Sequence, residues 1–353
     1  MRNEYYLSRA QLKGYLFELV ILELLRKNNF VEINCWHEDK NRVRNNRDGF
    51  VEFRGKGTWH QIDCPCDYSC TIPFSYPLRL LGEAKFYKNP LDKKYIREYI
   101  GVIKDIQENY FVPVNSRYND VPPRKMEIGV YFSANGFQEE AEKLAYAHGI
   151  KTISYENNVI IKRIKDLIDE FVENYISVRI LRDGEWYKFK NYFVNVMRNG
   201  YFTIYENHDN DFSKYVANGF ENIISDIYHS LVLIRSSFFA TTATDVFIHF
   251  ISDSEFPAEI FNNNDRGLCR VYYNYDNFQN RYFWMEIRGD EKRRRFYFTP
   301  PKSLDEAALY GKGTILNEKE IIFRYLNVNI QLEGINRNIV LEIDRDWLFH
   351  RQE

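Results

Sequence analysis

The chain has 353 residues, long for one domain and comfortable for two, and 44% hydrophobic with 17% aromatic content is a globular rather than a disordered or fibrous composition. A formal net charge of −2 rules out a whole-chain basic balance, although charge can still be concentrated locally. The best apolar run, Phe17 to Leu25, contains Glu18 and Glu23 and falls short of a membrane span, and the opening residues lack the apolar core of a signal peptide; a cytoplasmic protein with no membrane partner is expected.

In chain order, Ser8 is suited to cap an amphipathic helix over residues 8 to 28, with Leu12, Tyr15, Leu16, Leu19, Leu22 and Leu25 at helical spacing and Glu18 among them. Phe30 to Trp36 reads as a short strand, and Glu38 to Gly49 as a polar loop. Gly55-Lys56-Gly57 offers a turn before a strand that carries Asp63. Cys64 to Tyr76 reads as irregular, broken by Pro65 and Pro73. Leu78 to Tyr87 then reads as a buried strand ending in Glu83 and Lys85. Asp92 is placed to cap a helix through Tyr110, with Ile96, Ile100, Ile103 and Ile106 on one side. Ile128 to Ser133 is the next strand, Asn135-Gly136 a turn, Phe137 to His148 a helix closed by Gly149, and Ile150 to Tyr155 a strand. Helices alternating with strands in this way predict an α/β domain over residues 1–156 with a mixed central sheet.

A connecting helix is expected over 157–176, followed by a second, mostly β (α+β) domain over 177–353. Its strand-like runs are Ser177 to Leu181, Glu185 to Val196, Phe202 to Tyr205, Val246 to Ile251, Cys269 to Tyr275, Tyr282 to Ile287, Arg295 to Thr299 and Ile339 to Ile343, with one helix over Glu221 to Phe239. Two runs concentrate positive charge. Lys40, Arg42, Arg44, Arg47, Arg54 and Lys56 form the first, and Lys292-Arg293-Arg294-Arg295 the second, with Phe296-Tyr297-Phe298 beside it. A charge run is commonly a solvated face, but both suit phosphate contacts, and the aromatics could stack on bases. The helix from Asp92 offers Lys93, Lys94, Arg97 and Lys104 in the same way. Five cysteines without a secretory signal read as reduced thiols; Cys64, Cys66 and Cys70, with Cys35 or His60, are the candidates for a structural zinc, at a spacing that matches no strong zinc pattern.

Glu83 and Lys85 are two apart on a strand and so share a face. A carboxylate and an ammonium at the end of an apolar strand each need a partner, and Asp63 on the neighbouring segment supplies a second acid. Such a set suits a hard divalent cation and an activated water. His60 and Gln61 sit beside Asp63, where His60 reads as structural in preference to a phosphate contact. Ser133 and Asn135 read as turn and cap residues.

With Glu18, Asp63, Glu83-Ala84-Lys85 and Ser133-Ala134-Asn135-Gly136-Phe137 in that order, residues 8 to 156 resemble the PD-(D/E)xK nuclease superfamily, in its restriction-endonuclease-like, Mrr-like type IV branch. Phe17-Glu18, Gly57 to Asp63, Leu80 to Lys85, Glu140-Ala141 and Ala147 to Ile150 carry the likeness too. Ile62 stands where the superfamily name has proline, and Cys64 to Pro77 is longer than a tight hairpin needs. The resemblance implies a restriction-endonuclease-like fold and a Mg²⁺-dependent endodeoxyribonuclease, with Mn²⁺ able to substitute, serving restriction or antiviral defence. It implies Asp63, Glu83 and the Ala84 carbonyl as metal ligands, Glu18 as a second-metal or water-mediated ligand, and Lys85 as the group that positions the attacking water. Duplex DNA is the implied substrate, and cutting both strands from one site per chain would call for a homodimer. The C-terminal domain would select the target or sense a trigger. The competing readings are a repair or RNA-directed nuclease, and a nucleic-acid-binding module of nuclease fold without cleavage.

Overall fold

Helix α1, Arg9–Arg26, begins at a capping box: Ser8 Oγ accepts from the Gln11 amide at 3.2 Å, and the Gln11 side chain accepts from the Ser8 amide at 2.9 Å. Its buried positions run almost all the way round the helix, which makes it an interior element. The computed structural model describes residues 8–34, 39, 41–46, 49–70, 74–110, 124–176, 185–200, 215–262, 264–275, 281–332 and 334–350. Among them no helix is long and apolar enough to cross a membrane.

After α1 come β1 (Phe30–Glu32), β2 (Val43–Asn45), β3 (Val51–Arg54), β4 (Trp59–Gln61), β5 (Cys64–Tyr68), β6 (Leu78–Lys85), α2 (Lys93–Gln107), β7 (Met126–Ser133), α3 (Glu139–Ala147) and β8 (Lys151–Ser154). Helix α4 (Val159–Glu170) runs into a π-helical turn, Phe171–Tyr175, and α5 (Glu185–Asn199) and α6 (Phe220–Val232) follow. Two compact units result, residues 1–154 with 164–231, and residues 155–163 with 232–353; the division falls within α4.

The first unit holds a five-stranded mixed sheet ordered β1-β5-β6-β7-β8. Strand β6 pairs antiparallel with β5 and parallel with β7, and β7 pairs parallel with β8. Crossover helices α2 and α3 are required by those parallel joins. Helix α1 packs on β1, β5, β6 and α5, while α2 packs on β7 and α3. Gly82 faces Cys64 so closely that a Cβ there would lie 2.8 Å from the Cys64 Cβ and carbonyl oxygen, so only glycine fits. A separate three-stranded sheet is formed by β2, β3 and β4.

Several expectations are corrected. Residues 64–68 are a strand paired with the central one, and Asp63 is a bend between β4 and β5 rather than a strand residue. Pro65 is tolerated at the end of the β1 ladder, where its carbonyl still accepts from the Ile33 amide and its missing N–H forgoes only the reciprocal bond. Glu185 to Val196 is helix, not strand: Phe189, Tyr192, Phe193, Val196 and Met197 are buried at a helical period that overrides their β propensity. The helix expected through Phe239 stops at Val232, and Ser236–Thr242 is a strand. The runs Ser177 to Leu181 and Phe202 to Tyr205 lie outside the described residues, and so do Cys35 and Arg47.

The second unit is a closed barrel. Its strands are β9 (Ser236–Thr242), β10 (Phe247–Ser252), β11 (Arg266–Tyr275), β12 (Arg281–Ile287), β13 (Phe296–Phe298), β14 (Leu326–Leu332) and β15 (Ile335–Ile343), with α7 (Lys302–Tyr310) and α8 (Lys312–Ile322) before β14 and α9 (Arg345–His350) after β15. The order around the barrel is β10-β13-β12-β11-β15-β14-β9. Closure satisfies the strand edges, and the interior is filled with Phe238, Phe250, Phe283, Phe296, Phe298, Val271 and Met285.

His249 is 3% exposed and hydrogen-bonded to the Tyr155 hydroxyl at 2.9 Å and the Ser237 hydroxyl at 2.8 Å; burial pushes its pKa down to about 3. The unfolded chain therefore binds a proton near pH 6.5 that the folded barrel refuses, so stability is intact above that pH and falls as pH drops below it. A loss of about 2 kcal/mol by pH 5 is expected from this group. Thermal melts from pH 7 to pH 5 should show this slope flattened in His249→Gln, and an equal slope in the variant would refute the assignment.

Candidate active site

Parallel α/β sheets gather ligands at the carboxyl ends of strands where the connections change direction. Because β5 runs antiparallel to β6, the carboxyl end of β6 meets the start of β5, and Asp63 comes beside Lys85. Lys85, the last residue of β6, brings its amine to 2.9 Å from Asp63 Oδ2 and 2.5 Å from Glu83 Oε1. The Ala84 amide donates to the same Asp63 oxygen at 3.2 Å, tying the bend to the strand end. Lys85 and Glu83 do share a side, as their spacing requires, and Glu83 lies near the buried Tyr99 and Tyr131. Glu18 comes from α1, whose carbonyl at that residue accepts from the Cys64 thiol.

A cavity of about 270 Å³ opens here, floored by Glu18, Asp63, Ala84 and Lys85 and walled by Tyr15, Phe50, Gln61, Phe86 and Tyr87. Glu83 pairs with Lys85 and does not itself line the cavity. Glu18 keeps partial solvent contact through the cavity, yet protein surrounds it, so burial, with Asp63 next, holds its carboxyl well above the usual range. Burial followed by the Asp63 charge raises Glu83 to about 7. Burial alone would lower Lys85, but Asp63 and Glu83 outweigh it and keep the ammonium firmly charged.

The chemistry of the donor set fits a hard cation. Three carboxylates outnumber the ammonium groups of Lys85 and Lys190 that act on them, and hard oxygen donors suit Mg²⁺ or Mn²⁺. Among the described residues no three His, Cys, Asp or Glu side chains form a ready cage. Mg²⁺ rarely demands one; it commonly uses one or two carboxylates with waters and substrate phosphates. The same finding corrects the zinc expectation for the described cysteines: Cys64 and Cys66 are buried on β5, Cys70 is exposed, and no ligand group joins them.

Other anticipated residues are occupied structurally. His60 Nε2 lies 2.7 Å from Asp105 Oδ2, in a loop clamp that also takes the Gly57 amide. Ser133 donates to the Gly136 carbonyl at 2.8 Å and accepts from the Asn135 amide, shaping the turn after β7. In the first basic run Arg42 is 2% exposed, pairs with Glu127 at 2.9 Å and lies under the Tyr110 ring, so it does not face solvent phosphate. Lys93 pairs with Glu140 at 2.6 Å.

Three supporting residues had no motif to announce them. The Tyr99 hydroxyl donates to the Leu81 carbonyl and accepts from the Val130 amide at 3.2 Å, stapling β6 to β7 beneath Glu83. Lys165 donates to the Ala134 carbonyl at 2.6 Å and Asn135 Oδ1 at 2.9 Å, fixing the turn beside the site. Lys190, on α5, stands 4.1 Å from the centre of the Phe50 ring in the cavity wall and favours the charged form of Glu18. The i, i+3, i+4 pattern of α5 was the available signal for it.

No family model and no curated protein matches the chain. Among solved structures, a protein of unknown function, AF1548, is similar at a TM-score of 0.27 and 18% identity, over 40% of this chain and 58% of that one, under two thirds of its length.

Proposed function

We propose that the first unit is a metal-dependent phosphodiesterase acting on nucleic acid, with a restriction-endonuclease-like fold and duplex DNA as the leading substrate. The observation that supports this reading is the Lys85 amine held between Asp63 and Glu83 beside a cavity that Glu18, Asp63 and Lys85 line together. Asp63, Glu83, the Ala84 carbonyl and Glu18 are the groups that would hold Mg²⁺ or Mn²⁺. A cation bound there would polarise the scissile phosphate and lower the pKa of a water.

The chain's own residues do the rest. Lys85 is a fixed positive charge: two of its N–H bonds go to Asp63 and Glu83, which hold the amine in place without reorganisation, and the third is left to donate to the attacking water or to the charge growing on a phosphate oxygen. Asp63 is itself oriented by the Ala84 amide. Tyr15, Phe50, Phe86 and Tyr87 limit water around the reacting group and offer ring faces to a sugar or base.

Purified protein incubated with duplex DNA, single-stranded DNA and RNA in Mg²⁺ is expected to cleave the duplex, to stop in EDTA and to recover in Mn²⁺. Cleavage of RNA or single strands alone would move the substrate assignment while keeping the chemistry. Metal-independent cleavage, or binding with no cleavage of any of the three, would overturn the hydrolase reading.

A further inference from the structure

The outer surface of the barrel carries an aromatic row bordered by arginines. Backbone pairing places Tyr272 opposite Trp284, and Trp284 opposite Tyr297, so three strands contribute one continuous aromatic row. Their neighbours Val271, Phe283, Met285, Phe296 and Phe298 are buried, so strand alternation turns the three row residues outward, where each is half-buried. The Tyr272 and Trp284 rings stack at 5.4 Å with 10° between planes, and Trp347 of α9 flanks Tyr272 at 4.8 Å.

Positive charge borders the row. The exposed Arg295 lies 4.9 Å from the centre of Trp284, and Arg270 lies 5.9 Å from Trp347. Arg270 and Arg288 share the one buried carboxylate of Asp344, and Arg295 reaches Glu286 only at 3.8 Å. Burial and then the Glu286 carboxylate raise the Tyr272 pKa, opposed by Arg270 and by the exposed Arg293. Arg293 sits in a left-handed conformation, φ 50°, that L residues rarely adopt. Asp290 imposes that turn by accepting from the amides of Lys292 at 3.2 Å and Arg294 at 2.8 Å. Arg270, Arg288, Lys292, Arg293, Arg294 and Arg295 thus stand against the carboxylates of Glu286, Asp290, Glu291 and Asp344 around a strip of aromatic rings.

Phosphate-bearing partners supply the complementary charge, and unpaired bases supply flat faces that a closed duplex hides. We propose that the outer face of β11, β12 and β13 binds single-stranded nucleic acid, its bases stacking along Tyr272, Trp284 and Tyr297 and its phosphates on Arg270, Arg293 and Arg295.

Full-length protein titrated in EDTA into fluorescein-labelled oligo(dT) and oligo(U), with a blunt duplex of equal length as control, tests this by anisotropy. Single strands are expected to bind more tightly than the duplex. Trp284→Ala and Tyr297→Ala should each weaken binding about tenfold, and Trp284→Phe should retain it. Arg293→Ala, on an exposed turn, should leave the melting temperature unchanged and reduce the salt dependence of binding. Unchanged affinity in both alanine variants, or preference of the wild type for the duplex, would overturn the proposal. The outcome is independent of cleavage, since the cation is chelated throughout.

Discussion

Lys85→Ala is expected to reduce cleavage by about 10²–10³-fold under saturating Mg²⁺, the scale seen when one preorganised donor to transition-state charge is removed. The amine touches both Asp63 and Glu83, so its loss takes away the charge that orients the nucleophile and leaves two carboxylates facing each other. Asp63→Asn and Glu83→Gln should fall at least as far, through loss of cation affinity. Glu18→Gln should cost less, about 10–100-fold, as befits a ligand that holds the cation through a water. Nucleic-acid binding in EDTA should persist in all four variants. Single-turnover rates, with thermal melts as a control for folding, check the series. Cleavage by Lys85→Ala within a few-fold of wild type would sink the mechanism.

Arg79→Met should be among the most destabilising single changes in the first unit. Arg79, at the opposite end of β6 from the site, is 1% exposed and grips Asp67 through two bonds of 2.8 and 3.0 Å, with Asp39 at 3.4 Å. Removing the guanidinium strands buried carboxylates, although Lys125 still reaches Asp67 at 3.2 Å. Breaking such a buried pair costs about 3–5 kcal/mol. Arg79→Lys should recover only part of it, because an ammonium lacks the planar fork that meets Asp67 at both oxygens. Urea unfolding followed by far-UV circular dichroism measures both; a cost under about 1 kcal/mol for Arg79→Met would mean that water replaces the guanidinium.

The candidate site was legible where its chemistry is local. Glu83 and Lys85 share a side because a strand repeats every two residues, and Ser8 and Asp92 cap α1 and α2 as their side chains suggested. Asp63 was found from its position before the central strand, but its setting was misjudged: Pro65 made a true strand look like a broken loop. Phe189 to Met197 shows the opposite error, where β-forming residues are arranged at a helical period and fold as α5. In the basic run Lys292 to Arg295, Phe296 and Phe298 are core residues of the barrel, and only Tyr297 of the three aromatics joins the outer row.

The periods, the caps and the paired charges of β6 follow from local sequence, since each is set by neighbours a few residues away. Only the tertiary structure decided that Glu18 and Lys190 approach the same cavity wall, that Tyr99 staples β6 to β7, and that β11 pairs with β15 to close a barrel. Those relations join segments separated by tens of residues, and their energy comes from burial and hydrogen bonding between surfaces that exist only once both segments are folded.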